Sequence, residues 1–150
     1  MGLRVGQLAG NLPPDKPSEA ELSAVVQRGA ELGIQVEDGT RGIAPDNMRT
    51  DLQLAKRRGS PIVRAVIDSA TLRPTPAEAI DILKEVIGEF EEAGVTIALE
   101  NHDRFSARTF ADIVEGVGSD YVGICLDTVN SFGALEGPDV VVDTLAPVTV

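Results

Sequence analysis

Four glycines set the frame for this chain. Gly33, Gly59, Gly94 and Gly118 each close a stretch whose apolar residues recur at helical spacing, and each is followed within three residues by strand-forming residues. Glycine enters the left-handed conformation at a helix end without the steric cost that a Cβ brings, so each reads as a helix stop. The intervals between them are 26, 35 and 24 residues, the length of a strand plus its crossover helix. A chain punctuated in this way folds as a succession of βα units with parallel strands, an α/β protein.

The helix starts agree. Ser18-Glu19-Ala20-Glu21 and Thr75-Pro76-Ala77-Glu78 both place a glutamate three residues after a hydroxyl N-cap, and the second adds proline at the first helical position. From there Ile80, Leu83, Ile87 and Phe90 form an apolar stripe on a helix running to about Ala93. Shorter stripes run through Leu22, Val25 and Val26, through Met48, Leu52 and Ala55, and through Phe110, Ile113, Val114 and Val117. The strands read IQVED, PIVRAVID, VTIALEN and YVGICLD, after an opening LRVGQLAG.

Strand faces decide how the sheet closes. Val95, Ile97 and Leu99 share one face while Thr96, Ala98 and Glu100 share the other; Val122, Ile124 and Leu126 stand opposite Tyr121, Gly123, Cys125 and Asp127. Arg64 and Asp68 likewise oppose Val63, Ala65 and Ile67, and Gln35 falls with Glu37. An open doubly wound sheet packs helices on both faces, where such polar residues are costly; a barrel gathers them on its axis. No glycine-rich phosphate fingerprint follows the first strand. We therefore expect a (β/α) barrel, with Glu37 and Arg64 facing inward and pairing. Five strands and the start of another, VTV at Val148 to Val150, fall short of the eight that close a barrel, which takes about 250 residues. The expectation is an incomplete barrel, an internal portion or a truncated product whose bare strand edges are prone to associate.

At 150 residues, 43% of them hydrophobic and 25% charged, the chain suits one globular domain over 1–150. A net charge of −11 repels a phosphate backbone, which argues against nucleic acid. No apolar run reaches the roughly 18 residues of a membrane span and the N-terminus lacks a signal peptide, so no membrane contact and a cytoplasmic location are expected. The single cysteine, Cys125, reads as a small core residue.

Glu100 and Asp127 lie 27 residues apart, one βα repeat, each at the last inward position of its strand. Adjacent strands stand about 4.8 Å apart, so both carboxylates should open onto one small volume. Charges that close need a counter-charge. A divalent cation supplies one, and Mn, Mg, Co or Zn suits oxygen and imidazole ligands; alternatively each acid caps the next helix or pairs with Arg64.

IALENHDRF followed by VGICLDTVNS resembles the sugar phosphate isomerase/epimerase family, the xylose isomerase-like TIM barrels that also include relatives of endonuclease IV. GTRG and LAKRRGSPIVRAVID look like that family's third and fourth units, so the chain would span strands two to six and the start of seven. The resemblance implies a divalent metal ion held by a glutamate ending strand five, an aspartate ending strand six, a histidine on strand seven and a glutamate on strand eight. Glu100 and Asp127 match the first two; the others have no match within these 150 residues. It also implies metal-dependent proton transfer next to a carbonyl of a small carbohydrate-like substrate, isomerisation or epimerisation with dehydratase and lyase variants, in which Glu100 is ligand and acid/base. His102 and Asn130, in the loops after the two acids, and Arg41, between glycines in GTRG, are candidates for substrate contact, or else ordinary loop and turn residues. One histidine is too few for a trinuclear zinc nuclease. The rival expectation is a non-catalytic barrel fragment that assembles as a homo-oligomer, a strand-swapped dimer or with a partner chain.

Overall fold

The structure, a computed structural model, describes residues 2–8, 18–102 and 104–150. Strands β1 (Val5–Leu8), β2 (Gln35–Arg41), β3 (Ile62–Val66), β4 (Thr96–Glu100) and β5 (Val122–Cys125) alternate with helices α1 (Glu19–Glu31), α2 (Pro45–Arg58), α3 (Pro76–Ala93) and α4 (Ala107–Val117). A 3₁₀ turn at Asn130–Ala134, helix α5 (Pro138–Leu145) and a second 3₁₀ turn at Ala146–Val148 complete the chain. All neighbouring strands are parallel and stand in chain order, β1-β2-β3-β4-β5. A doubly wound sheet reverses its strand order; this one does not, which is the order of a barrel wall.

Local signals set the element ends. Both capping boxes form, Ser18 with Glu21 and Thr75 with Glu78. Gly59, Gly94 and Gly118 close α2, α3 and α4 in the left-handed conformation, with φ of 68°, 65° and 73°. The opening strand LRVGQLAG is shorter than expected over the described residues, and its Ala9 and Gly10 lie outside them. Strand β2 is longer. The GTRG segment, expected in a loop, continues the ladder because Asp38 to Arg41 pair with Val63 to Val66.

The core lies between the outer sheet face and the helices. Val63, Ala65, Ile97, Leu99 and Ile124 bury against Met48 and Leu52 of α2, Leu83, Val86 and Phe90 of α3, and Phe110 and Ile113 of α4. On α3 the fully buried stripe is Ala79, Leu83, Val86 and Phe90, and the expected Ile80 and Ile87 are only partly covered. Ile80 instead lies against Gly116 of α4, where a Cβ would meet its Cδ1 at 2.6 Å. Past α5, Thr149 bridges Ile124 and the Val150 amide donates to the Ile124 carbonyl at 3.1 Å, so the expected next strand begins beside β5. Among the described residues no helix is long and apolar enough to cross a membrane.

One charged cluster lies on the helix side of β2. Arg58 pairs with Asp38, both buried, and Asp51 of α2 is buried beside them with Oδ2 lacking a hydrogen-bond partner. Burial pushes the Asp51 carboxyl above its ordinary value of 3.8; the Thr40 hydroxyl opposes this, Asp38 adds to it and Arg58 opposes it. The folded chain thus holds this proton more tightly than the unfolded one. The resulting stability is fully present below about pH 3.8 and is lost as pH rises through the raised folded value. Asp51→Asn should therefore be more stable than the parent by on the order of 1 kcal/mol at pH 7, and urea titrations should show that gap narrowing as pH falls toward 4.

Candidate active site at the strand ends

Glu100 is the last residue of β4 and faces inward, opposite Cys125 of β5 in the ladder. Arg64 of β3 donates from Nη1 to Glu100 Oε2 at 2.7 Å and from Nε to Gln7 Oε1 of β1 at 2.9 Å. With side-chain exposures of 13% and 16%, Arg64 and Glu100 form a half-buried pair at the floor of the mouth. The pair expected between Glu37 and Arg64 does not form. Arg64 instead reaches across β2 to Gln7 of β1 and to Glu100 of the adjacent β4, and Glu37 accepts from Gln35 Nε2 at 3.2 Å.

Asp127 lies two residues beyond the end of β5 rather than on it. Its backbone is fixed by Asn101, whose Nδ2 donates to the Asp127 carbonyl and whose Oδ1 accepts the Asp127 amide, both at 2.7 Å. Asp127 Oδ1 accepts the amides of Val129 and Asn130 at 2.7 and 3.0 Å, capping the turn that follows. Asn130 then donates from Nδ2 to Glu100 Oε1 at 2.9 Å. Both alternatives open on spacing alone are thus present: Glu100 pairs with Arg64, and Asp127 caps a turn. Asn130 ties the two acids together.

Cys125 sits between them on the polar inner face, half-buried, and not in the apolar core. Burial pushes its thiol up, Glu100 adds to this, Arg64 opposes it, and Glu37 and Asp127 add further. It stays a protonated thiol at neutral pH.

Beside Glu100 a cavity of about 290 Å³ opens at the carboxyl ends of β2, β3 and β4. Arg41, Asp68, Ser69, His102 and Arg104 line it together with Glu100. Arg41 is the last residue of β2, exposed at the rim, and His102 is half-buried in the loop after β4. Arg104 donates to Asp68 Oδ1 at 2.5 Å and to the Pro74 carbonyl at 2.7 Å, and its guanidinium lies 4.0 Å over the Phe105 ring. Of the residues singled out in the sequence, Glu100, His102 and Arg41 meet at the cavity; Asn130 and Asp127 flank it through Glu100. Asn101 and Arg104 were not foreseen, although both sit inside the ENHDRF segment; Asp68 was placed inward but given no role.

Gly42 holds this rim together. Its φ is 93°, its amide donates to the Val66 carbonyl at 2.7 Å, and a Cβ there would lie 2.6 Å from Ser69 Cβ. Gly42→Ala is expected to lower stability by about 2–3 kcal/mol, from backbone strain and overpacking together, measured as a lower midpoint in urea.

Two carboxylates fit a divalent cation as part of its ligand set and not as a whole site. A structural or catalytic centre uses three or four protein ligands, Glu100 already has both oxygens engaged, and among the described residues no group of three or more His, Cys, Asp or Glu is placed to hold a metal.

Residues 22–148 match the family described as xylose isomerase-like TIM barrel, and the chain belongs to that family. It is 36% identical over 145 residues to the 3-oxo-isoapionate decarboxylase of Pectobacterium atrosepticum, an alignment covering 97% of this chain and 53% of that protein. The chain therefore spans about half the length of the curated relative it matches. Among solved structures it superposes on a xylose isomerase domain protein from Planctomyces limnophilus with a TM-score of 0.77 at 16% identity, covering 98% of this chain and 61% of the other. A xylose isomerase-like TIM barrel protein from Mycobacterium smegmatis, solved in complex with magnesium, gives 0.67 at 13% identity over 99% and 60%. These likenesses, with five parallel strands in order, make the fold an incomplete barrel.

Proposed function

We propose that this chain contributes one half of the active site of an enzyme acting next to the carbonyl of a small polyhydroxylated substrate, by proton transfer in an isomerase or epimerase or by the related loss of a carboxyl group. The observation that carries this reading is the placement of Glu100 at the end of β4, tied through Asn130 to Asp127 beyond β5 and opening on the 290 Å³ cavity. Active sites of barrels lie at this end of the strands. Glu100 and Asp127 would be two ligands of a divalent cation, Mn, Mg, Co or Zn, whose remaining ligands lie outside the described residues. Such a cation supplies Lewis-acid polarisation of a carbonyl oxygen. Glu100 would also exchange the substrate proton, with Asn130 orienting its carboxylate. His102 and Arg41 face the cavity where substrate hydroxyl or charged groups would lie.

The test joins this chain to the remaining portion of the decarboxylase relative and incubates it with candidate sugars and sugar acids in D₂O, with Mn²⁺ or with a chelator. Metal-dependent deuterium incorporation next to the carbonyl, seen by NMR, is expected. Incorporation unchanged by the chelator, or none with any substrate, would count against the reading.

A second reading, a fragment that assembles with itself or a partner chain, is favoured by the apolar edges: Val5, the first residue of the edge strand β1, is 48% exposed, and Val150, beside β5, is 51% exposed. Sedimentation of the isolated chain separates the two, since a dilution-stable dimer indifferent to Mn²⁺ supports assembly and a monomer opposes it.

A further inference from the structure

We infer that the cavity beside Glu100 is a carboxylate-binding subsite, with Arg41 as its principal anchor and Arg104 as its inner wall, so that the substrate is a sugar acid and not a neutral sugar. The inference rests on the proposed function for the location of the substrate, and adds the charge that the substrate carries. The chain as a whole carries −11 and repels anions, yet this one cavity is lined by Arg41, Arg73 and Arg104 against Asp68 and Glu100. A local cluster of this kind focuses a positive field into a cleft whatever the net charge.

The charges inside the cavity do not cancel. Glu100 is matched by Arg64. Asp68 is matched by Arg104, with side-chain exposures of 24% and 28%, while Arg73, 70% exposed, makes only a 3.4 Å contact with the same carboxylate from the rim and is largely screened by water. The Arg41 side chain has no ion-pair or hydrogen-bond partner among the described residues. Its backbone is nonetheless fixed, since Arg41 pairs with Val66 in the ladder and the next residue, Gly42, bonds to Val66. An arginine on a fixed backbone, whose side chain lines the cavity without an acceptor, presents a planar fork of N–H donors that matches a carboxylate. Arg104 adds a buried Nε–H with no acceptor. With Glu100 and Asp68 each matched, Arg41 and the rim residue Arg73 are left over, so the cavity favours an anion, and the planar fork of Arg41 fits a carboxylate. A carboxylate seated at Arg41 places the carbon skeleton of the same molecule toward Glu100 and His102, which line the other side.

The test is calorimetric titration of this chain, in buffer containing a chelator, with D-ribonate, D-ribose 5-phosphate and D-ribose. Ribonate is expected to bind at least about tenfold more tightly than ribose, one charge-assisted pair being enough for that ratio, and its affinity is expected to fall as salt is added. Arg41→Gln should remove that advantage and Arg41→Lys should keep part of it; Arg41 is exposed and unpaired, so neither change threatens folding. Equal affinities for ribonate and ribose, an advantage that survives in Arg41→Gln, tighter binding of the phosphate than of ribonate, or no binding of ribonate would each overturn the inference. Because no metal is present in this titration, its failure leaves the carboxylate pair of Glu100 and Asp127 untouched, and a failure of Mn²⁺ to bind leaves the ribonate result standing.

Discussion

Glu100→Gln, made in a barrel completed with its remaining strands, should lower turnover by about three orders of magnitude, the scale seen when one preorganised charge is removed from a reacting centre. The substitution keeps the shape of the side chain. Asn130 can still donate to the amide oxygen, so the tie to the Asp127 turn survives. What disappears is the negative charge, and with it the metal ligand and proton acceptor that the proposed function assigns to this residue. Arg64 then faces a neutral partner but keeps its bond to Gln7, which should lower stability by about 1–3 kcal/mol, as expected for a charge-assisted bond in a mostly covered pair. Turnover by NMR and unfolding in urea read the two effects separately. A purely structural role for Glu100 would give the stability loss with turnover nearly intact.

Arg58→Met should destabilise the chain by about 3–5 kcal/mol, the effect of stripping one member from a buried ion pair. Arg58 and Asp38 are 8% and 6% exposed, on the helix side of β2, and Asp51 is buried next to them. Without the guanidinium, two buried carboxyl groups stand together, Asp51 with the Thr40 hydroxyl as its partner and Asp38 with no side-chain donor among the described residues. Replacing the pair together, Arg58→Met with Asp38→Leu, should restore most of the loss, because no uncompensated charge then remains. Urea midpoints of the single and double variants check this. A double variant no more stable than the single one would show that the residues act through packing and not through charge.

These residues also mark where the sequence was legible. The βα cadence could be read because its signals are local: a glycine at each helix end and a hydroxyl with a glutamate three residues on act within one turn, and tertiary packing did not override them. The inward faces could be read as well, since alternation along a strand fixes which side Arg64 and Glu100 take. Which inward residues touch was not legible. Arg64 is next to Gly39 in the ladder, and nothing in the order of residues says that it will pass Glu37 to reach Gln7 and Glu100; the curvature of the sheet and the length of the arginine decide that. Alternation alone places Asp127 on β5, because Leu126 and Asp127 continue its pattern, but Asn101 captures the Asp127 backbone and turns the chain out of the ladder. Arg41 reads from the sequence as a substrate contact or a loop residue, and it stands instead at the end of β2; Gly39 without a Cβ lets the Arg64 guanidinium and the Leu8 carbonyl lie close, at 3.0 Å from where a Cβ would stand, and the strand runs on.

The central claim is that Glu100 and Asp127 are two ligands of one cation at the mouth of the closed barrel. Anomalous diffraction from Mn²⁺ in crystals of the completed barrel tests it directly. One peak within about 2.2 Å of an oxygen from each carboxylate is the expected result. A peak bound to neither or to one alone, with Glu100 still held by Arg64 and Asp127 still capping its turn, would contradict it.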